Sequence, residues 1–325
     1  MNILLISPAE RGARSGNRTT ALRWSQLLRN LGHRVNTATS YKDEGVDLLI
    51  ALHAWRSRAA IARYHALFPD RPLLVALTGT DINDYIKRDP EPTMNSLRAA
   101  TALVCFHDLV RDVTPAPFRH KLRVIYQSAQ PLPLARKQSR RYFEVCVIGH
   151  LRAVKDPLRT ALAVRDLPPG SKIRVSHLGK ALDPQLRKTA TKEMQTNPRF
   201  HWLGEVPGWR VRRELSRTRL MVISSLTEGG ANVISEAIVA GVPVIASAIA
   251  GNIGLLGRDY AGYYPAGDTQ ALRTLLLQAE NSPKFLARLE RQCAARRHLF
   301  TREGEREIWL ELIKQLHMRS EGCRW

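Results

Sequence analysis

The stretch Ser224-Ser-Leu-Thr-Glu228-Gly229-Gly230-Ala-Asn232-Val233-Ile-Ser-Glu236-Ala-Ile-Val-Ala-Gly241-Val-Pro243-Val-Ile-Ala-Ser247 decides the reading of this chain. It continues the apolar run 219–224, which predicts a strand ending at Ser224 or Ser225. Gly229 and Gly230 let backbone come close to a ligand, and a helix opens near Asn232 or Val233. The first turn of a helix leaves N–H groups without intrahelical partners, which suits an anion. Glu236 lies about one turn inside that helix, eight residues after Glu228. A carboxylate there can accept two hydroxyl hydrogen bonds, as from a ribose. Gly241-Val-Pro243 then ends the helix and starts the next strand. The eight-residue spacing carries nothing alone; its setting between strand, Gly-Gly loop, helix and strand makes it informative.

Outward from this stretch, short β-branched or Leu-rich runs alternate with longer amphipathic ones, the pattern of parallel sheets with crossover helices. The first half predicts strands at 2–7, 34–38, 47–52, 72–78, 102–106 and 122–126; the second predicts them at 142–148, 172–178, 199–203, 219–224, 242–247 and 262–264. A helical stripe of Leu22, Trp24, Leu27, Leu28 and Leu31 reads as core, and a last helix over about 303–318 carries Trp309, Leu310, Leu312, Ile313 and Leu316 on one side. The Pro-containing basic segment 130–141 reads as a linker. The expectation is α/β, with two doubly wound Rossmann-like domains facing a cleft: 1–135, with 303–325 packing back on it, and 141–302. Ligands of such sheets bind at the carboxyl ends of the strands.

The 325 residues suit two domains, and 44% hydrophobic residues supply two cores. Fifty Lys plus Arg against 29 Asp plus Glu give a formal charge of +21. That excess favours anionic partners, whether nucleic acid, an acidic membrane surface or phosphorylated small molecules. No nucleic-acid module motif accompanies it, so no nucleic-acid partner is expected. No apolar run approaches the roughly 20 residues that span a bilayer, so no stable membrane insertion is expected. The N-terminus reads as a strand and not a signal peptide. Cys105, Cys146, Cys293 and Cys323 show no metal-ligand spacing and read as reduced thiols of a cytoplasmic protein. No metal site or cofactor is indicated. Asp-x-Asp, the phosphate-loop motif and Gly-x-Gly-x-x-Gly are all absent from the sequence.

The quoted stretch resembles the retaining GT-B glycosyltransferases of family 4, whose signature is Glu-x7-Glu followed by Ala-x-x-x-Gly-x-Pro-Val-Ile. The resemblance implies that Glu236 holds the ribose hydroxyls, that Glu228 sits near the donor sugar, and that backbone at Gly229, Gly230, Asn232 and Val233 contacts sugar and diphosphate. Val147-Ile-Gly149-His150-Leu-Arg152-Ala-Val-Lys155-Asp-Pro157 is similar to the family's Val-Gly-Arg-Leu-x-x-x-Lys-Gly. It implies Lys155 as the cation that neutralises the leaving diphosphate. His150 stands where the family has arginine, and Arg152 two residues on is a candidate for the missing guanidinium. Phe200–Val206 resembles the strand and loop beside the nucleobase, which puts Val206 among the donor contacts.

In the first half, Gly16 falls where the family's loop, which also holds Gly12, approaches the diphosphate. His53 fits either the family's strand-end histidine or a satisfied buried one. Where many relatives carry His-Asp, this chain has Thr78-Gly79-Thr80-Asp81, which argues against an ordinary sugar hydroxyl needing the usual base. The wording of Gly16–Trp24, Leu52–Ser57, Leu77–Asp81, Gln127–Ala129, Gly149–Pro157 and Gly251–Gly257 looks like the selenosugar synthases of selenoneine biosynthesis. That resemblance implies a UDP-sugar donor, UDP-GlcNAc or UDP-glucose, and selenophosphate as acceptor. The expected acceptor set is Asn17, Arg18, His53, Thr80, Gln127 and Ser128. Arg11, Arg14 and Arg18 offer three cations for the anion, or simply a solvated loop. The alternative is a conventional family 4 enzyme acting on a lipid or polysaccharide acceptor.

Overall fold

The computed structural model describes residues 1–8, 15–132 and 136–322, so Arg11, Gly12, Arg14 and Cys323 lie outside the described residues. The chain divides into two compact units. The first comprises Met1–Ser128, Glu228–Ala231 and Thr301–Trp325; the second comprises Ala129–Thr227 and Asn232–Phe300. Each holds one six-stranded sheet, and every strand pair is parallel.

In the first unit β1 (Asn2–Ile6), β2 (Arg34–Ala38), β3 (Leu48–Leu52), β4 (Leu73–Ala76), β5 (Ala102–Cys105) and β6 (Leu122–Val124) lie in the order β2-β1-β3-β4-β5-β6. Its strands are apolar on both faces because helices cover both faces. Ile3 and Leu5 of β1 pack in one cluster with Trp24 of the helix Gly16–Asn30 and Trp309 of the helix Arg302–Gly322. Leu4 and Ile6 pack in another with Ile61 and Tyr64 of the helix Arg58–Leu67 and Leu97 of the helix Pro90–Ala99.

The second sheet contains β7 (Phe143–Ile148), β8 (Ile173–Leu178), β9 (Phe200–Trp202), β10 (Leu220–Ile223), β11 (Val244–Ser247) and β12 (Tyr263–Tyr264), in the order β12-β11-β10-β7-β8-β9. After β7 the chain moves outward to β8 and β9, then returns to add β10 on the other side of β7. The connections leaving β7 and β10 therefore diverge, and the crevice between them is where doubly wound sheets bind ligands. The two Rossmann-like sheets expected from the sequence are present, with strands within a few residues of the expected ranges. Cys105, Cys146 and Cys293 are buried thiols, and burial raises them to about 12, 12 and 11. No helix of the described residues is long and apolar enough to cross a membrane.

The helix Arg302–Gly322 is bound into the first unit by a buried carboxylate as well as by apolar contact. Glu305, 1% exposed, accepts from Trp24 Nε1 at 2.9 Å, from Arg23 Nε at 3.2 Å, and from both the N–H and the hydroxyl of Ser128. One turn on, Trp309 meets Trp24 edge to face, ring centroids 4.8 Å apart. Trp309→Ala should therefore cost about 3–5 kcal/mol, the range for truncating a buried aromatic. Chemical denaturation followed by circular dichroism checks this; a loss under about 1 kcal/mol would mean that the helix contributes little to the unit.

Candidate active site

In the second unit the chain leaves β7 as a loop, Gly149–Asp156, that is held from two sides. On the β8 side, Gly149 N–H donates to Leu178 O at 2.9 Å, Leu151 N–H to Lys180 O at 2.9 Å, and Leu182 N–H to Leu151 O at 3.1 Å. His177 Nε2–H donates to Gly149 O at 2.9 Å, and Lys180 N–H donates to His150 Nδ1 at 3.0 Å. Gly179 is required here: a Cβ on it would stand 1.9 Å from Gly149 O. On the β10 side, Ser224 Oγ–H reaches Lys155 O at 3.1 Å and Asp156 O at 2.8 Å, and Leu226 N–H donates to Val154 O at 2.9 Å. The left-handed Asp156 (φ 43°) turns the chain out of the loop toward Pro157.

Between β7 and β10 lies a crevice lined by Gly149, His150, Lys155, His177, Ser224 and Ser225, with aliphatic side chains behind them. Lys155, the expected diphosphate cation, is in this lining; Arg152 is half-buried on the same loop. Asn232 and Val233 open the helix Asn232–Val239, and Glu236 is half-buried in its second turn. Val206, 8% exposed, follows Gly204, whose carbonyl accepts from Gly179 N–H at 2.8 Å. The loops after β8 and β9 thus lie side by side behind the Gly149 loop.

In the first unit, His53 follows β3 in the left-handed region (φ 73°), which few residues other than glycine adopt. Its Nδ1 accepts the Arg56 N–H at 3.2 Å, so in the neutral ring the proton sits on Nε2 and is donated to Thr80 Oγ1 at 2.9 Å. Burial holds the His53 pKa below its ordinary value; Asp81, 3.8 Å from Nδ1, opposes this and Arg56 adds to it. Asp81 is fully buried and accepts the N–H groups of Ala54, Thr78, Gly79 and Ile82 at 2.8–3.1 Å. Sequence reasoning did not foresee this anchoring role for Asp81; an aspartate two and three residues after Gly79 and Thr78 is a signal for such backbone capture.

The segment Glu228–Ala231 also belongs to the first unit. A Cβ on Gly79 (φ 124°) would stand 2.6 Å from Gly229 N, and one on Gly230 would stand 2.5 Å from Phe106 Cβ. Asn83 Nδ2–H donates to the Glu228 carbonyl at 3.2 Å. Glu228, Gly229 and Gly230 are thereby brought next to the Thr78–Thr80 turn. Gly16, Asn17 and Arg18 form the first turn of the helix Gly16–Asn30, whose cap Ser15 accepts the Arg18 N–H at 3.3 Å. Gln127 and Ser128 are drawn inward instead. Gln127 Nε2–H donates to Thr20 Oγ1 at 2.9 Å, and the Ser128 hydroxyl is held by Glu305, a partner 177 residues away that local sequence does not reveal.

Residues 135–296 match the profile of the family described as glycosyl transferases group 1. This half of the chain belongs to the group 1 glycosyltransferases. Over 95% of its length the chain is 24% identical to "Glycosyltransferase 1 domain-containing protein 1" of Xenopus tropicalis, covering 96% of that protein. Among solved structures it resembles sucrose-phosphate synthase from Thermosynechococcus elongatus, with a TM-score of 0.78 and 17% identity over 98% of this chain and 99% of the other. It also resembles Anabaena HepE in complex with UDP and glucose, with a TM-score of 0.75 and 16% identity over 97% and 100%. The fold is that of GT-B glycosyltransferases.

His177 ties this glycosyltransferase's loop geometry to pH. Burial pushes its pKa down to about 4, although the carbonyls of Gly149 and Pro157 favour the protonated ring. Unfolded, the same ring titrates near about 6.5, so below that pH the unfolded chain binds a proton that the folded one refuses. The contribution of His177 to stability is therefore complete above about pH 6.5, and falls by about 1.4 kcal/mol per pH unit between there and pH 4. Urea denaturation of wild type and His177→Gln at pH 7, 6 and 5 checks this; the variant should lose stability less steeply by that amount, and parallel slopes would refute it.

Proposed function

We propose that this glycosyltransferase takes the sugar of a UDP-sugar, UDP-glucose or UDP-GlcNAc, and transfers it to selenophosphate, giving a 1-seleno sugar. The observation that carries the acceptor is the protonation lock at His53 and Asp81. The His53 lone pair is engaged by Arg56 N–H, its Nε2–H points at Thr80, and the Asp81 carboxylate is tied up by four backbone N–H groups. This arrangement offers hydrogen-bond donors and withholds a base. A sugar hydroxyl needs its proton removed, whereas selenium of selenophosphate is already an anionic nucleophile.

On this reading Thr80 and His53, with Asn17 and Arg18 at the helix start, receive the acceptor, while Gln127 and Ser128 support that helix. Glu236 holds the ribose, Val206 lies toward the base, and Gly16, Gly229, Gly230, Asn232 and Val233 approach sugar and diphosphate. Lys155 and Arg152 stabilise the leaving diphosphate, and Glu228 faces the sugar. The C1–Se bond forms as the C1–O bond to UDP breaks, its electron pair leaving with UDP. Water then takes the phosphoryl group from selenium, releasing phosphate. No cofactor or metal is required. HepE, whose structures contain UDP, glucose and UDP-glucose, supports the donor class.

Mass spectrometry after incubation with each UDP-sugar, with and without selenophosphate, should show a selenium-bearing hexose and UDP release that depends on selenophosphate. Glu236→Ala should weaken UDP binding by about 1.5–3 kcal/mol, and Lys155→Ala should lower turnover by about 10²–10³. Turnover of UDP-sugar with no selenium product would end the selenosugar reading.

One observation favours the conventional lipid-acceptor reading. The helix Gly208–Arg217 exposes Arg212, Arg213 and Arg217, and Trp209 is 60% exposed at its start. Lys137 N–H donates to Ser216 O at 2.9 Å, which lays the segment with exposed Lys137, Arg140 and Arg141 alongside. Basic side chains around an exposed tryptophan suit an anionic bilayer surface. If the acceptor is a lipid, the protein floats with acidic vesicles at low salt and Trp209→Glu abolishes this; absence of flotation removes the reading.

A further inference from the structure

We propose that Tyr85, gripped in a four-layer stack with Trp55, Arg58 and Arg88, is the positioning residue that keeps the His53 imidazole turned with its Nε2–H on Thr80. The inference rests on the reading of His53 and Thr80 as hydrogen-bond donors to the acceptor, and adds the element that holds them. Trp55 and Tyr85 lie nearly parallel, with ring centroids 4.2 Å apart and planes 16° from each other. The Arg58 guanidinium carbon is 4.0 Å from the Trp55 centroid, and that of Arg88 is 4.8 Å from the Tyr85 centroid. Each ring already has the other on one face, so each guanidinium occupies the face that remains. Such a stack gains cation–π as well as ring–ring attraction. With both faces covered, the ring pair is no platform for a nucleobase or a sugar. What Tyr85 has left to offer is its edge, and the His53 ring meets it at 5.7 Å and 67°.

The stack is tied down where it could slip. Trp55 Nε1–H donates to Asp89 Oδ2 at 2.8 Å, Arg58 Nη1–H donates to the Trp55 carbonyl at 3.0 Å, and Arg88 pairs with Asp84 at 3.0 Å. Tyr85 closes the turn Asp81–Tyr85, in which Ile86 N–H reaches back five residues to Asp81 O. Turns this wide are rare and concentrate at functional sites. The Asp81 side chain also holds Ala54 N–H at 2.9 Å, so the backbone beside His53 and the turn carrying Tyr85 share one buried carboxylate. His53 itself is in the left-handed region, a conformation that persists only where its surroundings over-determine it. An aromatic edge carries partial positive charge, and so favours the electron-rich face of a neutral imidazole over an imidazolium. Arg56 acts in the same direction and Asp81, 3.8 Å from Nδ1, against it; Arg58 and Arg88 stand beyond the two rings. Without the Tyr85 ring, the imidazole can swing off Thr80 and take a second proton.

Spectra and kinetics on the full chain test this. In protein labelled with ¹⁵N-histidine, long-range ¹H–¹⁵N spectra of the wild type at pH 7.5 should show His53 Nδ1 unprotonated and Nε2 protonated. Tyr85→Phe should leave that pattern unchanged. Tyr85→Leu, which keeps bulk but removes the ring, should draw the two nitrogen shifts together and raise the pH at which His53 titrates. Asp89→Ala, at an exposed position, should do the same to a smaller degree by loosening Trp55. In assays with a UDP-sugar and selenophosphate, Tyr85→Leu should lower kcat at least about tenfold with the KM for UDP-sugar unchanged, and Tyr85→Phe should stay within about twofold, since misplacing a reacting group by about 1 Å can cost about 10²-fold. A His53 tautomer and titration that are the same in Tyr85→Leu and Asp89→Ala as in wild type overturn the proposal, as does wild-type turnover by Tyr85→Leu. If the spectra change as expected but the wild type makes no selenium-bearing sugar, the acceptor reading falls and the positioning of His53 stands.

Discussion

Parallel pairing is the constraint from which the rest follows. A parallel strand cannot be joined to its neighbour by a tight turn, so each must leave at its carboxyl end and return through a crossover. All connecting loops that can carry chemistry therefore collect along one edge of each sheet. Where β7 lies between β8 and β10 the outgoing loops diverge, and the crevice with Lys155 and His150 is the gap they leave. Its rigidity comes from backbone pairing of the Gly149–Asp156 loop with the ends of β8 and β10, so side chains in the lining are presented by a frame that has little freedom.

The strands were legible in the sequence because burial on both faces forces uninterrupted apolar runs, and runs such as Leu48–Leu52 have no other economical reading. The turn around Glu228 and Glu236 was legible for a related reason: glycines, a helix start and a Pro-led strand follow one another with spacing that few structures demand. Less of the site could be read. Ser128 looks like a ligand-facing hydroxyl until Glu305 is found beside it, and Gly179 looks like an ordinary loop glycine until the Gly149 carbonyl is found against it. In each case the deciding partner is remote in sequence, so no local pattern encodes it. The proposed selenophosphate acceptor rests on motif wording and on the hydrogen bonding of His53 and Asp81, which composition and periodicity do not report.

A chain with a formal charge of +21 manages its histidines conservatively. His53, His107 and His177 are all buried and all have pKa values lowered by burial, the last two to about 4. Neutral rings inside the fold avoid adding repulsion to an already cationic molecule, and a neutral ring with one lone pair engaged becomes a donor of fixed direction. At His53 and at His150 a backbone N–H donates to Nδ1, so in the neutral ring the backbone selects the tautomer.

The first unit is discontinuous in sequence, and this bears on how the protein is made. Its sheet is complete by Val124, yet the Trp24 indole N–H and Ser128 are held by Glu305, and Trp309 packs on Trp24. During synthesis the ribosome must add about 180 further residues, an entire second unit among them, before that core can close. At about 5–20 residues per second the side of Trp24 that Trp309 covers waits roughly ten to forty seconds for its partner, although the sheet beneath the helix Gly16–Asn30 is already made. A chain cut before residue 300 lacks Glu305 and Trp309, and so leaves Trp24 and Ser128 without those two partners.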